Sequence, residues 1–254
     1  MSFENLASSD IPAILFVLLF LGLMIFFALS GRKKAYQPTR EIPAFDRLRQ
    51  VIGLAVEAGK RLHLTLGRGG ISGVEGASAV IGFTVLERFA RVASVSDRPP
   101  IATSGDGTLA ILSQDTLRKT FKTIGVESQY DPAFGQLSGL TPMGYAAGTL
   151  PIFYDAQLAA TVFAGHFGSE VALLTDAAGQ NDVLVLAGSD SLPAQAVIYA
   201  TAEQPLIGEE LYAAGAYLKA GPMHLASLRA QDILRWILLL AIIIGAGLKF
   251  LGFL

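Results

Sequence analysis

Apolar residues run without a charged or polar interruption through residues 11–29, and a second apolar stretch, charged only at Lys249, occupies residues 236–254. A helix crossing a hydrocarbon core of about 30 Å needs roughly 20 residues. Both stretches meet that length, so each predicts a transmembrane helix. Lys249 lies near the far end of its stretch, where a long stem reaches the headgroups.

Between the spans the period changes repeatedly. Leu48, Val51, Ile52, Ala55 and Val56 recur at helical spacing within 45–60. Residues 62–66 read as a strand that stops at Gly67. Residues 74–92 are apolar but carry Glu75, Glu87, Arg88 and Arg91, which predicts a buried helix rather than a third span. A short strand at 98–103 precedes a helix at 108–124, and 126–130 is expected to be the third strand. Pro132, Gly135, Gly139 and Pro142 mark a loop before a small-residue helix at 143–150. Strands at 158–164 and 183–187 alternate with helices at 169–178 and 193–202. Helices at 208–218 and 224–235 follow, the last continuing into the second span.

Strands that are continuously apolar and alternate with helices predict an α/β fold, a mostly parallel sheet flanked by helices. The expected organisation is a short external N-terminus (1–10), transmembrane helix 1 (11–30), a basic juxtamembrane linker (31–44), a cytoplasmic α/β domain (45–235) and transmembrane helix 2 (236–254). Charge sets the orientation. Arg32, Lys33, Lys34, Arg40, Arg47 and Arg49 follow the first span, Arg229 and Arg235 precede the second, and only Glu4 and Asp10 charge the leading segment. Positive flanks stay in the cytoplasm, which places both termini outside the inner membrane. An acidic start, a long apolar core and a trailing basic cluster predict an uncleaved signal anchor, because cleaved signals have the reverse charge order and a shorter core.

Composition narrows the chemistry. The count of zero cysteines removes disulfides, thiolate metal sites and cysteine nucleophiles. A formal net charge of -2 gives no nucleic-acid footprint, so the lipid bilayer is the expected partner. No Gly-x-Ser-x-Gly elbow and no Gly-Lys-Ser/Thr phosphate loop occurs.

Four predicted strands end in polar or glycine-rich turns, which a parallel sheet brings to one edge, where ligands of open α/β sheets bind. The candidate ligand residues there are Gly67, Arg68, Gly69, Gly70 and Gly73, then Ser104, Gly105 and Asp106, and finally Gly188, Ser189 and Asp190. Glycines let a backbone approach an anion and Arg68 adds a guanidinium, yet turn geometry and helix capping explain each residue equally well. His166 and Glu170, four apart, are weak metal candidates whose surrounding glycines argue against a shared helix face. Catalytic residues and cofactor stay unassigned.

Leu62-His-Leu-Thr-Leu-Gly67, residues 165–170, Ile207-Gly-Glu-Glu-Leu-Tyr-Ala-Ala-Gly-Ala-Tyr-Leu218 and residues 224–236 resemble a family of uncharacterised two-span bacterial membrane proteins, a domain of unknown function. The resemblance covers nearly the whole chain and implies the span–domain–span layout. It implies no activity. The expected function is a non-enzymatic, membrane-anchored scaffold or a self-associating component of a membrane complex, its second spans packing through Ala241 and Gly245 as a homo-oligomer. The alternative is a nucleotide- or phosphate-ligand-binding sensor or enzyme using the glycine-rich edge.

Overall fold

The computed structural model describes residues 10–30, 41–73, 75–93 and 98–251. The expected external segment up to residue 9, most of the basic linker, Val74 and the last three residues lie outside them. The chain divides into two compact units, the terminal segments and residues 40–220.

In the terminal unit, α1 (Asp10–Ser30) and α9 (Pro222–Phe250) pack against each other, and both are long and apolar enough to cross a membrane. At about 1.5 Å per residue, α1 spans roughly 30 Å, the thickness of a hydrocarbon core. Phe27, near the end of α1, lines one groove with Arg229, Ile233 and Trp236. The helices therefore run antiparallel. Leu15 and Ile243 are 64% and 65% exposed, so each helix turns apolar side chains outward.

The second unit carries α2 (Pro43–Glu57), β1 (Arg61–Gly67), α3 (Gly76–Ala93), β2 (Ile101–Ser104), α4 (Gly107–Thr123) and β3 (Gly135–Leu137). After the crossover helix α5 (Pro142–Phe153) come β4 (Leu158–His166), α6 (Val171–Gln180), β5 (Leu184–Ser189), α7 (Leu192–Thr201), β6 (Gln204–Leu206) and α8 (Glu210–Tyr217). The six strands lie in the order β3-β2-β1-β4-β5-β6, every neighbouring pair parallel. The expected α/β architecture is thus present, and its sheet is wholly parallel.

Two expectations fail at the sheet margins. Residues 126–130 are not a strand: Glu127–Gln129 form a 3-10 turn, and the third strand is Gly135–Leu137, inside the stretch read as loop. The strand β6 was not foreseen. Both are three-residue edge strands, too short for a run of apolar residues to mark them.

The core follows the pleat of β1. Leu62, Leu64 and Leu66 alternate with His63 and Thr65, and all five are fully buried. Leu66 faces α3, since a Cβ built on Gly82 would meet its Cδ2 at 2.5 Å and the Ala164 carbonyl oxygen at 2.6 Å. On the other face Tyr145, Phe153, Phe163, Phe167, Leu174 and Ile198 fill the space beneath α5, α6 and α7. There, His63 joins three strands: Nδ1 lies 2.7 Å from Thr161 Oγ1 on β4, and Nε2 lies 2.9 Å from Thr103 Oγ1 on β2. Burial lowers its pKa to about 3, so the imidazole is neutral, one nitrogen donating and the other accepting.

Candidate functional site

In a sheet of this strand order the chain reverses direction of growth between the first and fourth strands, and the crevice at that point is where doubly wound folds take ligands. Here the crevice lies at the carboxyl ends of β1 and β4. All four candidate turns sit along the same edge, since β1, β2, β4 and β5 are parallel neighbours.

The turns are tied to each other by backbone. The Arg68 amide donates to the His166 carbonyl at 2.9 Å, and the Gly105 amide donates to the Gly67 carbonyl at 2.8 Å. Gly67 has φ +72, and a Cβ there would lie 2.1 Å from the His166 carbonyl oxygen. Only glycine fits both the left-handed backbone and the close approach. Gly69 packs on the His166 side chain, and Gly105 lies under the Arg68 stem, each with under 2.6 Å for an added Cβ.

Charged side chains fill what remains. Arg68 Nε donates to Glu170 Oε1 at 2.8 Å, and the Gly168 amide donates to the same oxygen at 3.0 Å. Glu170 is 3% exposed. Its burial raises the carboxyl pKa, but the Arg68 bond, the backbone amides and the Arg68 charge outweigh that and hold it below the ordinary value. Beside this pair, His166 Nδ1 donates to Asp190 Oδ1 at 2.8 Å, and Ser78 Oγ on α3 donates to the other Asp190 oxygen at 3.0 Å. His166 Nε2 faces Glu75 Oε1 at 3.6 Å. Beneath, the Tyr145 hydroxyl of α5 is hydrogen-bonded to Thr65 Oγ1. Burial raises the Tyr145 pKa and the Glu170 charge adds to this, while Thr65, Arg68 and the Gly67 amide oppose it.

The structure therefore brings together Gly67, Arg68, Gly69, Gly105, His166, Glu170 and Asp190. Other candidates serve their own turns. Asp106 caps α4, accepting from the Thr108 and Leu109 amides, and Ser104 Oγ donates to the Asp106 carbonyl. Ser189 Oγ accepts from the Phe167 and Ser191 amides, and the Gly73 carbonyl accepts from Gly76. Gly188 packs against β6, and an added Cβ on Gly70 meets open space. His166 ends a strand and Glu170 precedes α6, so the two share no helix face. Among the described residues no group of three or more His, Asp or Glu is arranged to hold a metal ion. Glu75, Ser78, Tyr145 and Thr65 escaped sequence reasoning, because only the strand order and the α5 crossover bring them to this edge.

The arrangement has a definite electrostatic character. Glu170 takes the one guanidinium, Glu75 and Asp190 flank His166, and Asp106 already caps the amides of Thr108 and Leu109 at the head of α4. An anion entering here meets like charge and few free donors. The His166–Asp190 pair is oriented as a carboxylate-held imidazole, whose second nitrogen is the one open to proton transfer or ligation.

No curated protein and no solved structure matches the chain. The model of a domain family of unknown function, DUF6754, matches residues 3–253, so the apolar terminal helices and the α/β body both fall within it. The chain belongs to that family.

Proposed function

We propose that the protein is a non-enzymatic, self-associating scaffold component of a membrane complex, anchored by α1 and α9 with its α/β body on the cytoplasmic side of the inner membrane. The observation that carries this reading is the outer surface of α7. That helix contains no charged residue, and Leu192, Ala196 and Tyr199, at positions i, i+4 and i+7, are all exposed. Leu192 is 77% and Tyr199 73% exposed. A surface helix of a water-soluble body ordinarily sets charge against solvent, and one that is apolar all round is ordinarily covered. Beyond α6, which packs between them, α5 likewise lacks charge and leaves Met143 64% exposed.

The membrane-side assignments rest on the basic residues flanking the spans and on the antiparallel pairing of α1 with α9, which brings both termini to one side. In α9, Gly245 has open space around an added Cβ, room for a second copy of the span.

Native mass spectrometry of the detergent-extracted protein tests the proposal. The expected result is a discrete oligomer that dissociates in Leu192→Glu and Tyr199→Glu. A strictly monomeric particle overturns it.

A nucleotide or phosphate ligand at the carboxyl edge is the competing reading, favoured by the strand order and by the open space over Gly70 and Gly107. Against it stand the commitment of Arg68 to Glu170 and the surplus of carboxylates.

A further inference from the structure

At the opposite end of the body from that acidic edge lies a basic groove. Thr84, Glu87, Arg88 and Arg91, from the second half of α3, face Lys219 and Ala220, which follow α8, across a cavity of about 260 Å³. That is room for a phosphate or diphosphate group with its first substituent. Glu87 Oε1 accepts from Arg91 Nη2 at 2.6 Å, so this acid is matched by one of the three cations. Among the described residues Arg88 and Lys219 make no ion pair, which leaves two cations over.

Part of this has an ordinary explanation. Basic residues in the last turn of a helix complement its dipole, and that accounts for Arg91. It does not account for the backbone at Lys219. The Lys219 amide donates to the Ala216 carbonyl at 3.1 Å and the Ala220 amide to the Gly215 carbonyl at 2.8 Å. This is the helix ending in which the residue after the cap takes a left-handed backbone and is usually glycine. Lys219 takes it with φ +57. The other described non-glycine residue with positive φ is Asp182, whose short polar side chain tolerates that region. A long side chain held there against its backbone preference is the kind of outlier that accompanies function.

We propose that this groove binds a phosphate monoester, with Arg88 and Lys219 as its cationic contacts. A guanidinium fork grips phosphate oxygens bidentately, and an ammonium adds a point charge from the opposite wall. The ligand source is either a soluble phosphate or the headgroup of an anionic lipid. Neither depends on self-association through α7, so failure here leaves the scaffold proposal standing.

Hydrogen–deuterium exchange on the full chain in nanodiscs distinguishes the sources. In one arm glycerol 3-phosphate, a soluble phosphate monoester, is titrated into discs of phosphatidylcholine. In the other, no soluble phosphate is present and discs of phosphatidylcholine are compared with discs containing phosphatidic acid. The expected result is saturable protection, several-fold or more, of peptides covering residues 84–91 and 216–221 in at least one arm, and that arm names the source. Arg88→Gln should abolish the protection. Lys219→Gly should abolish it too while raising the unfolding midpoint, since glycine relieves the left-handed backbone, and this separates lost binding from lost fold. Absence of protection in both arms, or protection that persists in the two variants, overturns the proposal.

Discussion

Arg68 and Glu170, 102 residues apart in the chain, meet at 2.8 Å between the ends of β1 and β4, where a fold of this strand order would receive a ligand. The pair closes the crevice with the protein's own charge. Glu170 is almost wholly buried, so removing its partner strands a carboxylate in a low-dielectric site. Arg68→Met is expected to cost about 3 kcal/mol, and Arg68→Met combined with Glu170→Gln less than the sum of the single losses. Chemical denaturation of the four proteins of this cycle measures the coupling. Additive effects would mean that the two groups do not depend on each other.

The same pairing bears on ligands. With Arg68 engaged and three carboxylates at the edge, a panel of nucleotides, dinucleotides and sugar phosphates should leave the unfolding midpoint unchanged in an Arg88→Gln background, where the separate groove of Arg88 and Lys219 is disabled. A ligand at 100 times its dissociation constant stabilises by about 2.7 kcal/mol, well within detection. A shift of that size, lost in Arg68→Ala, would establish the nucleotide reading and displace the one preferred here.

Acid should destabilise the body through His63. Its pKa is depressed from the ordinary 6.5 to about 3 by burial, so the unfolded chain binds a proton that the folded one refuses. Stability from this neutral histidine is full above pH ~6.5 and is lost as the pH falls toward the folded value, with a slope near 1.4 kcal/mol per pH unit. Glu170, lowered as well, adds a loss only below its unfolded value of about 4.3. Between pH 4.5 and 6.5, therefore, His63→Gln should flatten the stability profile relative to the parent chain. An unchanged slope would show that His63 is not buried uncharged.

Gly82 explains how α3 lies so close to the sheet. Gly82→Ala places a methyl against the Ala164 carbonyl and Leu66. The backbone oxygen cannot turn aside, so a loss of about 1–3 kcal/mol is expected, measurable by denaturant midpoint. Gly53, with open space around an added Cβ, serves as the control, where alanine should be neutral or stabilising.

How far the sequence reveals this molecule depends on which residues carry the signal. Residues 183–187 are a continuous apolar run and 158–164 one broken only by Thr161, because both faces of a parallel strand are covered, and their pattern is legible. Gly135–Leu137 and Gln204–Leu206 pair on one side only and hold three residues each, so neither composition nor period distinguishes them from loop. The turns of the site were visible as glycine-rich breaks, and Gly67 does occupy the tight turn after β1. Its partners were not visible. That Arg68 meets Glu170, or that Ser78 reaches Asp190, follows from β1 lying next to β4 and α3 crossing behind them, and no local spacing encodes that adjacency. The groove at Arg88 and Lys219 escaped for a related reason: its walls are 131 residues apart, and the backbone of Lys219 is a property of the folded helix end.

The placement of the body is tested most directly by cysteine accessibility, since a chain with zero cysteines accepts single probes without background. Ser8→Cys, Lys122→Cys and Asp155→Cys would be treated with a membrane-impermeant maleimide, first in intact spheroplasts and then after permeabilisation. A cytoplasmic body predicts labelling at position 8 in the intact preparation and at 122 and 155 only once the membrane is opened. Reaction at 122 or 155 in intact spheroplasts would contradict it.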